Sequence, residues 1–252
     1  LGHVSERTWR AEDGREWQGL LYLPVEYVPG RRYPLVIQTH GYAVREFSLY
    51  GQADFLPGMG PSFGPFAAQA LANSGIAVIQ VGDAGLSGSS VGGSGEAEIC
   101  MNGFVSAART LIAEGIVAED RVGVLGHSRT GWHALYTLTH SDFPFAAALV
   151  SDNMDACYLQ ALMMDWSPST TTWANDAEPF GDGLQQWLRN SPVFLAERVT
   201  APIQFQNSSS TGGFEVLLWC WEMFSRLRHL NKPVELYVLP DSIERGTHTI
   251  QN

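Results

Sequence analysis

Lysine is nearly absent from this chain: Lys232 stands alone among 15 basic residues, against 26 acidic ones, for a formal charge of −11 over 252 residues. That deficit excludes nucleic acid as a partner, because neutralising phosphates takes a cluster of basic side chains. Long apolar runs are missing too. Although 45% of residues are hydrophobic, no stretch approaches the roughly 20 consecutive apolar residues of a membrane span. Cysteine is scarce: Cys100, Cys157 and Cys220 are far apart and make no C-x-x-C pair, which argues against a disulfide framework or a zinc site and predicts buried free thiols. No metal or cofactor is implied, and compartment and oligomeric state stay open. Repeats and linkers are absent, so one domain is expected over residues 1–252.

What is present is an alternation. Residues 17–23, 33–39, 76–81, 121–125, 145–150, 202–206 and 233–239 read as strands, and 63–74, 99–114, 132–139 and 215–230 as helices. Residues 24–32 carry the turn Pro29-Gly30, and 82–95 read as a Gly/Ser-rich loop. Strand and helix at this spacing predict an α/β fold with a mainly parallel central sheet and helices on both faces. Residues 152–190 break the rhythm and read as an irregular insertion over the mouth of the sheet. Its aromatics, Trp166 and Trp173 among them, either line substrate or fill a satellite core.

The strand at 121–125 runs straight into Gly126-His127-Ser128, and helix follows. A serine on a sharp strand-to-helix turn presents its hydroxyl beside the positive end of a helix, which is the nucleophile elbow of α/β-hydrolases. The elbow pattern G-x-S-x-G asks for a small residue where Thr130 stands, and Gly131 comes one position late. A serine nucleophile needs a histidine base, and the base needs a carboxylate to orient it. His248, beyond the last strand, occupies the base position of that chain order. His133, His140 and His229 lie on or near helices and suit packing or capping. Glu215 is the first carboxylate after the penultimate strand, and Asp152 is the alternative acid; Glu222 lies about two helical turns further on. The amide of Arg129 and a backbone amide near Tyr42, with the His40 ring, are candidates for the oxyanion hole. His127 flanks the site and is a candidate substrate contact.

The whole chain resembles the catalytic domain of the prolyl oligopeptidase (S9) family of serine peptidases. The likeness is carried by Asp13-Gly14, Gly19-Leu20-Leu21-Tyr22-Leu23-Pro24 and Tyr33-Pro34-Leu35-Val36 at the start, and by Asp120-Arg121-Val122-Gly123 with Gly126-His127-Ser128 at the elbow. Ser191-Pro192, Val199-Thr200-Ala201-Pro202 and Lys232-Pro233-Val234-Glu235-Leu236-Tyr237 carry it further. Gly213-Phe214-Glu215 is similar to the acidic-aromatic turn of the lasso-peptide isopeptidase members, whose acid is a glutamate. The resemblance departs where His40 stands for the family's oxyanion-loop Tyr.

It implies an α/β-hydrolase that cleaves peptide or isopeptide bonds through an acyl-enzyme without a cofactor. It also implies a β-propeller before residue 1 and a final helix after residue 252. A carboxylesterase with the same triad and a non-catalytic binding module are the alternatives, so the expected partner is a peptide or a small ester.

Overall fold

The computed structural model describes residues 1–39, 68–82, 94–153, 155–163, 174–208 and 213–239. The strands described are β1 (Val4–Arg10), β2 (Glu16–Tyr22), β3 (Tyr33–Gln38), β4 (Ala77–Val81), β5 (Val117–His127), β6 (Ala147–Ser151), β7 (Ile203–Ser208) and β8 (Val234–Leu239). They form an eight-stranded sheet in the order β1-β2-β4-β3-β5-β6-β7-β8. β2 pairs antiparallel with β1 and β4, β3 pairs parallel with β4 and β5, and β7 pairs parallel with β6 and β8. The α-helices described are α1 (Ala68–Asn73), α2 (Ser94–Ala113), α3 (Arg129–His140), α4 (Tyr158–Met163), α5 (Leu184–Asn190) and α6 (Gly213–His229). This is the α/β-hydrolase architecture. Among the described residues no helix is long and apolar enough to cross a membrane.

The chain divides into two compact units. The first takes Leu1–Gly88, Asn102–Leu125 and Pro144–Ala147. Every residue of β4 is buried, as suits a strand with neighbours on both sides whose sequence is apolar except for Gln80. Trp9 and Trp17 stack at 6.4 Å, and Phe104 meets Trp17 edge-on at 6.1 Å. Gly103 makes room for that cluster: a Cβ there would lie 2.2 Å from the Trp17 ring. Burying each such aromatic contributes about 1.5–3 kcal/mol. The buried amides are paired, with Gln80 Nε2 donating to Gln38 Oε1 at 2.9 Å and Gln69 exchanging two bonds with the Gly2 backbone.

The second unit takes Ser89–Met101, Gly126–Phe143 and Ala148–Asn252. α3 is buried from Gly131 to Thr139, which marks it as a central helix. Trp132 and Tyr136 pack with Ala97, Ala156 and Ala174. On α6, Val216, Trp219, Cys220, Met223 and Leu227 are buried; their spacing is that of one helical face.

Several elements differ from the sequence expectation. β1 was not foreseen because Val4-Ser-Glu-Arg-Thr-Trp-Arg10 is polar; it occupies the edge of the sheet, where charged side chains are tolerated and only Trp9 is fully buried. β5 begins at Val117 rather than 121, passing through exposed Glu119 and Asp120 where its register against β3 shifts between Tyr33 and Leu35. α2 begins at Ser94, inside the span expected to be loop. The 152–190 stretch holds α4, α5 and a 3-10 turn at Gly181–Gly183. In it Trp187 is buried, with Nε1 donating to Ala177 O at 2.6 Å, so this tryptophan is core. All three cysteines are buried free thiols.

Candidate active site

β5 ends at His127 and α3 starts at Arg129, leaving Ser128 alone on the turn. Its backbone adopts φ 51° and ψ −127°, a conformation that residues with a side chain rarely enter. Such a state costs of order 1–3 kcal/mol and persists only where the surroundings over-determine it. Here Ser128 N donates to Ser151 O at 3.1 Å, and Ser128 O accepts from Gly131 N at 3.0 Å. Ser128 is half-buried and its hydroxyl makes no capping bond to α3.

The need for small residues falls at Gly126 and Gly131 rather than at Thr130. A Cβ at Gly126 would stand 2.5 Å from Thr130 O, and one at Gly131 would stand 2.3 Å from Asn153 Cβ. Thr130 instead serves the turn with its hydroxyl, accepting from His127 N at 3.1 Å and donating to His127 O at 2.9 Å.

His127 is buried, with Nδ1 2.9 Å from Ser151 Oγ, so its ring is engaged with the end of β6. Arg129, half exposed, reaches Glu96 near the start of α2. Arg129 Nε donates to Glu96 Oε1 at 2.6 Å and Nη2 donates to Oε2, a two-point fork. His133 Nε2 lies 2.8 Å from the same Oε1. Burial by itself would raise the Glu96 carboxyl, but the bonds from His133 and Arg129 outweigh it and pull the pKa down to about 2. Burial also lowers His133. The imidazole is therefore neutral at pH 7 and carries its proton on Nε2, since an ionised carboxylate only accepts. Its Nδ1 is buried without a partner. Glu96 went unnoticed in the sequence because it follows a Gly/Ser-rich run; an acid just after Ser94-Gly95 was the available sign of a helix start.

Of the two candidate acids, Glu215 is exposed in the first turn of α6. Asp152 is buried just beyond β6 at φ 37°, its amide bonded to Gln206 O at 2.9 Å. Glu222 is committed elsewhere, accepting from Leu159 N at 2.9 Å and pairing with Arg226. His140 caps structure too, its ring stacked on Tyr136 and Nε2 against Arg189 O. His248, His40, Tyr42, Trp166 and Trp173 lie outside the described residues. Burial pushes the thiols of Cys157 and Cys220 up, which makes them poor nucleophiles. Among the described residues no group of three or more His, Cys, Asp or Glu side chains is placed to hold a metal ion.

Fold and elbow together define an α/β-hydrolase. A model of the prolyl oligopeptidase family matches residues 61–243, and the chain belongs to that family of serine peptidases. A comparison with curated proteins finds no match. Solved structures with the same fold include a variant of the AtxE2 isopeptidase with astexin3-dC4 bound, at 23% identity and TM-score 0.68, over 96% of this chain and 36% of that one. A puromycin-hydrolyzing peptidase of Mycobacterium tuberculosis aligns at 17% identity and TM-score 0.69, over 95% of this chain and 36% of that one. The acylaminoacyl peptidase of Pyrococcus horikoshii aligns at 20% identity and TM-score 0.64, over 98% of this chain and 38% of that one. The chain thus spans little more than a third of the length of these structures.

Proposed function

We propose that this domain hydrolyses peptide or isopeptide bonds through an acyl-enzyme. Ser128 attacks the carbonyl carbon, His248 takes its proton and then delivers it to the leaving amine, and Glu215 holds the imidazole in the right tautomer. The single observation that carries this reading is Ser128, held at φ 51° between a strand end and a helix start. The peptidase-family match supports amide bonds over esters. The amide of Arg129, the residue after the nucleophile, is aimed by the same turn and supplies one oxyanion donor.

Labelling with a fluorophosphonate followed by peptide mass spectrometry tests the nucleophile, with matched amide and ester substrates testing the bond. Ser128 carries the label and the amide is turned over if the reading holds. A folded, full-length protein that takes no label refutes it, and turnover of the ester alone makes it an esterase. Glu215→Gln is expected to lower turnover with the fold intact. If Asp152→Asn does so and Glu215→Gln does not, the orienting role belongs to Asp152.

A further inference from the structure

We propose that Glu96 is a positioning residue for the elbow: by gripping the Arg129 side chain it fixes the Ser128–Arg129 peptide, and with it the direction of the Arg129 N–H. This rests on the reading of Ser128 as nucleophile.

The argument starts from one torsion. The orientation of the Arg129 N–H is set by ψ of Ser128, which sits at −127° in a strained residue. A strained peptide relaxes unless it is held on both sides. On one side its carbonyl accepts from Gly131 N at 3.0 Å. On the other, the guanidinium of Arg129 is forked onto Glu96, a buried carboxylate on a different helix. Two parallel bonds fix direction as well as distance, which one bond to a flexible side chain does not. Arg129 is otherwise a half-exposed side chain on the first turn of α3, where a cation is disfavoured by the helix dipole. Its ion pair with a buried acid removes that conflict.

His133 completes the device. It lies one turn along α3 from Arg129 and bonds Glu96 Oε1 through Nε2, so both partners of the carboxylate come from the helix that carries the oxyanion amide. Being neutral, it orients Glu96 without competing for its charge. The residue types are specific to this task. Glutamine at 96 keeps the shape but replaces one acceptor with a donor facing Arg129 or His133, and methionine at 129 removes the grip while keeping the backbone amide.

The test compares Glu96→Gln, Arg129→Met and the double variant in the full-length protein, with turnover expressed per folded molecule. A peptidyl boronic acid, whose adduct with Ser128 places an oxygen in the oxyanion hole, is the second readout. Each single variant is expected to lower kcat about tenfold to a hundredfold, below the loss of about a hundredfold or more for deleting an oxyanion donor outright. KM should stay within about twofold, boronate affinity should weaken in parallel with kcat, and the double variant should be no worse than either single one.

Unchanged kcat in either single variant overturns the proposal, as does a fall in kcat with boronate affinity intact, or multiplying losses in the double variant. Should Glu96→Gln fail to fold, Arg129→Met, which empties a half-exposed site, decides alone. Failure of the nucleophile reading is distinguishable, because then Ser128→Ala retains turnover.

Discussion

The two units of this chain use the same fold grammar and fill it with different chemistry. In the first, the buried polar residues among those described are Gln38, Thr39, Gln69, Gln80 and Ser106, all neutral. In the second they include Glu96, His127, His133, Asp152 and Asp155, and all three cysteines are there as well. The backbone divides the same way. Among the described residues, left-handed turns in the first unit fall on Gly14, Gly30, Gly75 and Gly115, whereas the second, besides Gly181, puts Ser128, Asp152, Ala156, Asp176 and Asn231 at positive φ. Buried ionisable groups and side-chain-bearing residues in strained torsions both cost stability, and both concentrate where chemistry is done. Under the proposed function, the second unit gives up some stability for a shaped site.

The largest test of that division is the proposed nucleophile. Ser128→Ala should lower kcat/KM about 10^4- to 10^6-fold in steady-state assays, and adding His248→Ala should cost little more, because the two act as one unit. Additive losses would separate them.

Two glycines sharpen the contrast. Gly103→Ala drives a methyl into the Trp17 ring and Gly131→Ala drives one into Asn153. Each should cost about 1–3 kcal/mol in denaturant melts. Only Gly131→Ala should also lower turnover per folded molecule, by as much as about a hundredfold, because it displaces the elbow. Equal turnover in the two variants would break the comparison.

The buried carboxyls of the second unit should give opposite pH slopes. Burial, aided by the charge of Glu222, holds the Asp155 carboxyl well above the usual range. The unfolded chain ionises this group near pH 4 while the fold keeps it protonated, so its stabilising contribution is full below pH 4 and is lost as pH rises. Asp155→Asn should therefore gain on the parent by up to about 1.4 kcal/mol per pH unit above 4, read from urea midpoints. Glu96 runs the other way: its pKa of about 2 means its contribution is present above about pH 4.5 and is lost as pH falls toward 2. Glu96→Gln should trail the parent at neutral pH and approach it in acid.

The smallest effect belongs to the first unit's surface. Glu12 pairs with Arg109 where both side chains are more than half exposed. Glu12→Gln should change stability by less than about 1 kcal/mol and leave kcat alone.

Much of this was legible along the chain. β3 and β4 read as short, mainly apolar runs because strands with neighbours on both sides are buried on both faces, and β8, at the end of the sheet order, was placed to within a residue. The elbow was readable because strand, turn and helix are contiguous there. β1 was not readable, since an edge strand with charged residues carries no apolar alternation, and α2 was shortened by the glycines and serines ahead of Glu96.

The order of residues settled what depends on near neighbours: the alternation of elements and the turn at Ser128. It did not settle which distant groups would meet. Thr130 looked like a defect in the elbow until packing showed that Asn153 presses on Gly131 and that the threonine hydroxyl ties the turn to itself. Glu96 looked like one more acid in an acidic chain until it lay buried against Arg129 and His133. No periodicity links positions 96 and 129, because such a pair exists only once two helices have packed, and a carboxylate's pKa and partners belong to that packed environment rather than to the residue.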